Sequence, residues 1–91
     1  MSSARKPVYK LLIIPKAEKQ ILDLPKPLIS VITSKIQSLA ENPRPLGVKK
    51  LAGSSDGWRL RSGDYRVLYT IDDRKRELVI YKVSHRKDAY R

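Results

Sequence analysis

The chain has 91 residues, with 20 lysines and arginines against 9 aspartates and glutamates, a formal charge of +11 at neutral pH with His85 counted neutral. That length allows one domain, spanning 1–91, and 41% hydrophobic residues is enough for a small core, which argues against wholesale disorder. With no cysteine and a single histidine, zinc-finger and histidine-cluster sites are excluded and no metal or cofactor is expected.

The elements follow in chain order. Residues 1–6 read as a loose polar tail without the apolar stretch of a signal peptide. VYKLLII, Val8 to Ile14, is a short β-branched run between Pro7 and Pro15, which predicts a buried strand. Pro15 suits a first helical turn, and Ala17, Ile21 and Leu24 recur at helical spacing after it. Pro25 and Pro27 stop that helix and start another over about Leu28 to Ala40, closed by Asn42-Pro43. Arg44 to Gly57 reads as a loop carrying Lys49 and Lys50. The period then changes to two. Trp58 and Leu60, then Val67, Tyr69 and Ile71, alternate with Arg59, Arg61 and Arg66 around a Ser62-Gly63-Asp64 turn, which predicts a β-hairpin. DDRKRE is a second turn, Leu78 to Ser84 the last strand, and HRKDAYR a polar tail. The expected fold is α+β, in the order β-α-α-β-β-β. It is an antiparallel sheet of about four strands with an N-terminal helical hairpin packed on one face.

A charge surplus of this size points to a polyanion, nucleic acid first. Before and after Pro43 the net charge is +4 and +7, from 7 basic and 3 acidic residues and then 13 and 6. Placement matters more than the total. Arg59 and Arg61 are two apart on one strand and share a face, Arg66 sits across a short turn, and Arg86 follows the last strand. Guanidinium forks on a rigid sheet match phosphate oxygens, and few carboxylates alternate with these to neutralise them. A solvated sheet face is the plainer alternative. Trp58 could stack on a base but shares a face with Leu60 and reads rather as core, and Tyr69 and Tyr81 read as inward or mixed-packing residues. Tyr90 stands in a polar tail beside His85, Arg86 and Arg91, where substrate stacking and C-terminal anchoring are both open. A hydrolase built on Ser84 and His85 lacks any framing motif. No apolar run reaches the length of a membrane span, and the lack of cysteine points to the cytoplasm.

Three stretches together resemble the RelE/ParE superfamily of toxin components, RelE-like branch. They are VKKL (Val48 to Leu51), GWRLRSGDYRVLYTID (Gly57 to Asp72) and VSHRKDAYR (Val83 to Arg91). The resemblance implies a toxin of a type II toxin–antitoxin system, a ribosome-dependent endoribonuclease that cuts mRNA in the ribosomal A site. It also implies a cognate antitoxin as partner, with operator DNA bound only through the antitoxin complex. Carried over, Arg66 and Arg86 match the family's catalytic arginines, Tyr90 its nucleotide-contacting tyrosine, and Arg59 stands where a catalytic lysine is found. Another lysine position falls on Gly57, a departure that Lys49 or Lys50 would have to make good. Arg61 and Lys87 join Lys49 and Lys50 as RNA-binding residues.

Metal-independent cleavage uses the ribose 2′-hydroxyl as nucleophile and needs a base, a charge stabiliser and an acid. Arginines supply the second and are poor bases. Tyr90, Lys50 and His85 remain open as the base. If the last strand continues past Ser84, His85 and Arg86 point to opposite faces. Two other readings compete, namely a gyrase inhibitor of the same fold and a family member that binds RNA and antitoxin without cutting.

Overall fold

The computed structural model describes residues 8–87, so the tail at 1–6 and Tyr90 lie outside it. The elements are β1 (Lys10–Ile13), α1 (Pro15–Leu22), α2 (Lys26–Ser38), β2 (Lys49–Lys50), β3 (Gly57–Ser62), β4 (Tyr65–Asp72) and β5 (Glu77–His85). They form an α+β fold with one sheet in the order β1-β5-β4-β3-β2.

Two details correct the expected antiparallel, four-stranded sheet. First, β1 pairs with β5 in parallel, Leu11 beside Leu78 and Ile13 beside Ile80, so the sheet is mixed, and β1 is a largely exposed edge strand rather than the buried one expected, because only one neighbour pairs with it. The intervening helices and meander carry the chain back across the sheet, and such a crossover permits parallel pairing. Second, a fifth strand lies in the segment read as a loop. Lys49 pairs with Arg59 and Lys50 with Trp58. A two-residue strand of lysines has no alternation for a sequence pattern to register.

Both helices begin where proline pre-sets φ in the first turn, without a side-chain cap. Their 3.6-residue spacing aligns Ala17, Ile21, Ile32 and Ile36 on one side. With Leu24 and Leu39 these bury against one sheet face made of Leu60, Val67, Tyr69, Ile71, Leu78, Ile80 and Val83. The inward residues of β5 change parity along the strand. Tyr69 pairs with Ile80, but the next residue back, Leu68, pairs with Lys82, which leaves Tyr81 as a bulge. Leu78 and Ile80 therefore face the helices before the bulge, and Val83 does after it. Lys82 and Ser84 turn to the open face.

The loop after α2 is tied down by polar contacts. The hydroxyl of fully buried Tyr69 donates to the Pro43 carbonyl at 2.7 Å. Burial pushes its pKa up to about 12. The Arg44 guanidinium donates twice to the Asp73 carboxylate, at 3.3 and 2.8 Å, and its carbon lies 5.1 Å from the Trp58 ring centroid. The Tyr9 hydroxyl donates to the same carboxylate at 2.5 Å. The hydrogen bond from Arg44, then that from Tyr9, holds the Asp73 pKa below the ordinary carboxylate value. The hydrogen bond to Asp73 raises that of Tyr9.

These shifts set two pH limits. Asp73 contributes stability in full above its unfolded pKa and loses it as pH falls through the lower folded value. Tyr9 contributes below its unfolded pKa and loses it as pH rises through the raised folded value. Asp73→Asn is expected to reduce the stability lost between pH 7 and pH 3, as read from urea midpoints. An acid limb identical to the parent's would remove Asp73 from the account. The effect is small, because the pair is exposed to solvent.

Candidate nucleic-acid interface

The open face of the sheet carries the positive charge. On β3, Trp58, Leu60 and Ser62 point toward the helices, and Arg59 and Arg61 point away. On β4 the open face receives Arg66 and Leu68. Across the ladders, Arg61 pairs with Arg66, Arg66 with Ser84, and Leu68 with Lys82. Like charges directly opposite one another are unfavourable across a ladder, so both guanidinium groups favour an anion at this surface.

Arg66 is the centre of the arrangement. It is 7% exposed and forms a shared wall between two recesses. One, about 380 Å³, is lined by Arg61, Arg66, Arg86 and Lys87. The other, about 150 Å³, is lined by Leu51, Arg59, Arg66, Leu68, Lys82 and Ser84. Arg86 reaches the first because β5 ends at His85 and the chain turns. The Arg86 backbone N–H donates to the Asp64 carbonyl at 2.6 Å, and its Nε lies 4.0 Å from Asp64 Oδ1. The end of β5 is thus fastened to the β3–β4 turn, where Gly63 adopts φ +60°.

The structure brings Arg59, Arg61, Arg66, Arg86 and Lys87 to one surface. Lys49, opposite Arg59, shares their face, whereas Lys50, opposite Trp58, has the other orientation. His85 stands apart. It pairs with Tyr65 rather than Arg66, and its ring meets the Tyr65 ring edge-on at 5.1 Å, on the side of α1. Its Nδ1 accepts the Lys87 N–H at 3.2 Å. Lys82 and Ser84, which line the smaller recess, escaped sequence reasoning. An unbroken alternation from Leu78 would have pointed both into the core. Among the described residues no three His, Cys, Asp or Glu side chains converge in a way that would hold a metal ion. No helix among them is long and apolar enough to cross a membrane.

Gly57 has a local reason for lacking a side chain. The loop before β3 folds over it, and the Gly57 N–H donates to Ser54 Oγ at 2.9 Å. A Cβ at this position would lie 2.6 Å from that oxygen and 3.2 Å from Leu51 Cδ1. A side chain there would make Ser54 turn aside and give up its bond from the Gly57 N–H.

A small basic domain with a helical hairpin on one side of a mixed sheet and a guanidinium-lined recess on the other has the architecture of a compact toxin. The family model for the ParE toxin of the type II toxin–antitoxin system parDE matches residues 11–90. The chain is 34% identical over 76 residues to the protein named RelE1 in Methanocaldococcus jannaschii, covering 80% of this chain and 84% of the relative. It is 37% identical over 70 residues to toxin RelG of Mycobacterium tuberculosis, covering 74% and 77%. The archaeal RelE–RelB complex of Pyrococcus horikoshii superposes with TM-score 0.78 at 30% identity, covering 87% of this chain and 96% of the other. The chain belongs to the RelE/ParE superfamily and is a type II toxin component.

The Gly57 geometry is open to a direct check. Gly57→Ala is expected to cost about 1–3 kcal/mol by overpacking. The same change in a Ser54→Ala background is expected to cost less, because the closest clash is removed. Denaturant unfolding of the four proteins in this cycle gives the coupling. Strictly additive costs would show that Ser54 does not exclude a side chain at 57.

Proposed function

We propose that this toxin is a metal-independent endoribonuclease that cuts mRNA in the ribosomal A site and so stops translation. The observation that carries the reading is the convergence of Arg59, Arg61, Arg66 and Arg86 on two recesses that share Arg66 as a wall. In this reaction the ribose 2′-oxygen attacks the adjacent phosphorus, the 5′-oxygen leaves, and a cyclic phosphate remains. Negative charge grows on the non-bridging oxygens as the fifth bond forms. Arg66 and Arg86 are placed to grip those oxygens, with Arg59 and Arg61 beside them, and forked donors hold them bidentately. Being permanently charged, they stabilise the transition state but take no proton.

The placement narrows the search for the base. His85 and Lys50 are directed away from the recess, and Tyr90, which the family resemblance assigns to the substrate nucleotide, lies outside the described residues. Among the described residues, Lys49, Lys82 and Lys87 bring ammonium groups to this surface. Of the two lysines considered in place of the one that Gly57 lacks, Lys49 is the candidate on the same face, since it pairs with Arg59. A site rich in cations and poor in bases gains most from a partner that holds RNA in line for attack, which is what the ribosome supplies. The net charge of +11 favours entry into an RNA-lined cavity.

A cognate antitoxin is the second partner, as the RelE–RelB complex among its structural relatives supports. An acidic, amphipathic segment that covers the arginines would neutralise the toxin. Binding of operator DNA belongs to the antitoxin half, and action in the cytoplasm follows from a ribosomal target.

The test is toeprinting of a defined message on stalled ribosomes, beside a ribosome-free lane. A cut in the A-site codon only with ribosomes present is expected. Arg66→Gln and Arg86→Gln are each expected to slow it about 100-fold or more. Parental rates in both variants would refute the assignment. An intact message with inhibited DNA supercoiling would replace it with gyrase poisoning, and an intact but bound message with a non-cutting role.

A further inference from the structure

A third cavity, about 340 Å³, lies at the free edge of β5. β1 pairs only with Glu77 to Ile80, so among the described residues no strand pairs with β5 on that side beyond the Tyr81 bulge. Helix α1 runs there instead, and Gln20 Oε1 accepts the Val83 N–H at 2.7 Å. Gln20 and Asp23 form one wall, and the edge-packed Tyr65 and His85 rings another. Lys82 and Ser84 also line the smaller arginine recess, so the cavity and the recess share a wall.

Asp23 is the informative residue. It is the C-cap of α1, where the helix dipole is already negative and a carboxylate is unfavourable. Among the described residues its carboxylate makes no ion pair and no hydrogen bond. A residue that breaks a local rule without a structural return is a candidate for function. Next to a cluster of cations, a carboxylate also sorts what enters. It repels phosphate, which the arginines attract, and it accepts N–H groups, which nucleobase edges offer. Gln20 adds an amide, and aromatic rings add a stacking surface for a base.

We propose that this cavity is a base-binding subsite for a nucleotide adjoining the phosphate held by Arg66. Asp23 and Gln20 read the edge of the base, Tyr65 and His85 pack on it, and Lys82 spans the two sites. The chain of an RNA crossing the arginine face turns around the edge of β5 that β1 leaves unpaired, between that edge and α1, to place that base. His85 thereby acquires a role in recognition on the face where the structure puts it. This inference rests on the proposed action on RNA but not on cleavage.

The test uses the full chain and uncleavable, 2′-O-methylated, fluorescein-labelled RNA tetranucleotides that differ at one position, with binding read by anisotropy at low salt. The parent is expected to discriminate among the four bases at one position by about tenfold, the scale of a charge-assisted hydrogen bond. Asp23→Asn is expected to fold with an unchanged or raised melting temperature and to lose or reorder that preference. Gln20→Glu keeps the acceptor for the Val83 N–H and is expected to reorder it too. Arg66→Gln is expected to weaken all four RNAs equally. Equal affinities in the parent, or parental base ratios in both Asp23→Asn and Gln20→Glu, would overturn the subsite. So would a loss of cognate antitoxin binding in Asp23→Asn with RNA ratios unchanged, which would assign the cavity to the protein partner. A parent that discriminates among bases but cuts no message would retain the subsite and refute the nuclease reading instead.

Discussion

The single extra residue in β5 decides what stands beside the arginines. Up to Ile80 the strand sends even-numbered residues to the core, and beyond Tyr81 the odd-numbered Val83 takes their place. Without the bulge, Lys82 and Ser84 would be driven into the apolar layer and Val83 and His85 would meet Arg66. A lysine in that layer, without a partner, is costly to fold. The bulge therefore reconciles the pairing of β4 with β5 with the burial of Leu78, Ile80 and Val83. It also gives the open face its second row of polar groups. That bulges gather near functional sites is a general tendency, and here the local mechanism is visible in the register.

The open face gathers like charges. Arg61 and Arg66 oppose one another across the ladder, with Arg59 next along β3 and Lys49 opposite it. Compensation is found on other parts of the sheet. Thirteen apolar residues bury on the helix side. The Arg44–Asp73–Tyr9 contacts fasten the α2–β2 loop to the β4–β5 turn. Arg44 also stacks on Trp58, whose neighbour Arg59 enters the recess. The ion pair between Arg86 and Asp64 is long and exposed, so the backbone bond between the same two residues is the better anchor for Arg86. A rigid sheet holding like charges close together is pre-organised for an anion and has no reorganisation left to make when one binds.

Much of this was legible in the sequence, and the reasons differ by element. The helices announced themselves by proline and by the spacing of Ala17, Ile21, Ile32 and Ile36. The hairpin announced itself by the alternation of Trp58, Leu60, Val67 and Tyr69 with three arginines. The shared face of Arg59 and Arg61 follows from period two alone, and Arg66 joins it through the register of the hairpin. Four things do not follow from any local pattern. The parallel partner of β1 is a matter of topology. The two-residue β2 is too short for periodicity. The bulge changes parity inside an apolar run, where LVIYKVS gives no polar residue out of step until Lys82. The Tyr9–Asp73–Arg44 cluster joins residues from three distant segments. The position of His85 turned on the third of these, which is why its adjacency to Arg86 in sequence misleads.

The chemistry of the face bears on what kind of catalyst it makes. Guanidinium groups stabilise charge that has already begun to form on phosphate, but they do not start the reaction, because none of them accepts a proton. If this toxin cuts RNA, the slow event is loss of the 2′-proton in a geometry that allows in-line attack. Its rate then depends on how well the RNA is held rather than on how strongly it is attracted. Binding strength from eleven surplus charges is uniform over ground state and transition state, so by itself it tightens binding without accelerating cleavage. Selectivity must come from features that distinguish one arrangement of the strand from another. On this molecule the candidates are the buried Arg66 at the junction of two recesses and the cavity between α1 and the edge of β5 beside it. On the proposed reading, charge would bring RNA to the sheet, and the shape around Arg66 would determine which phosphate stays.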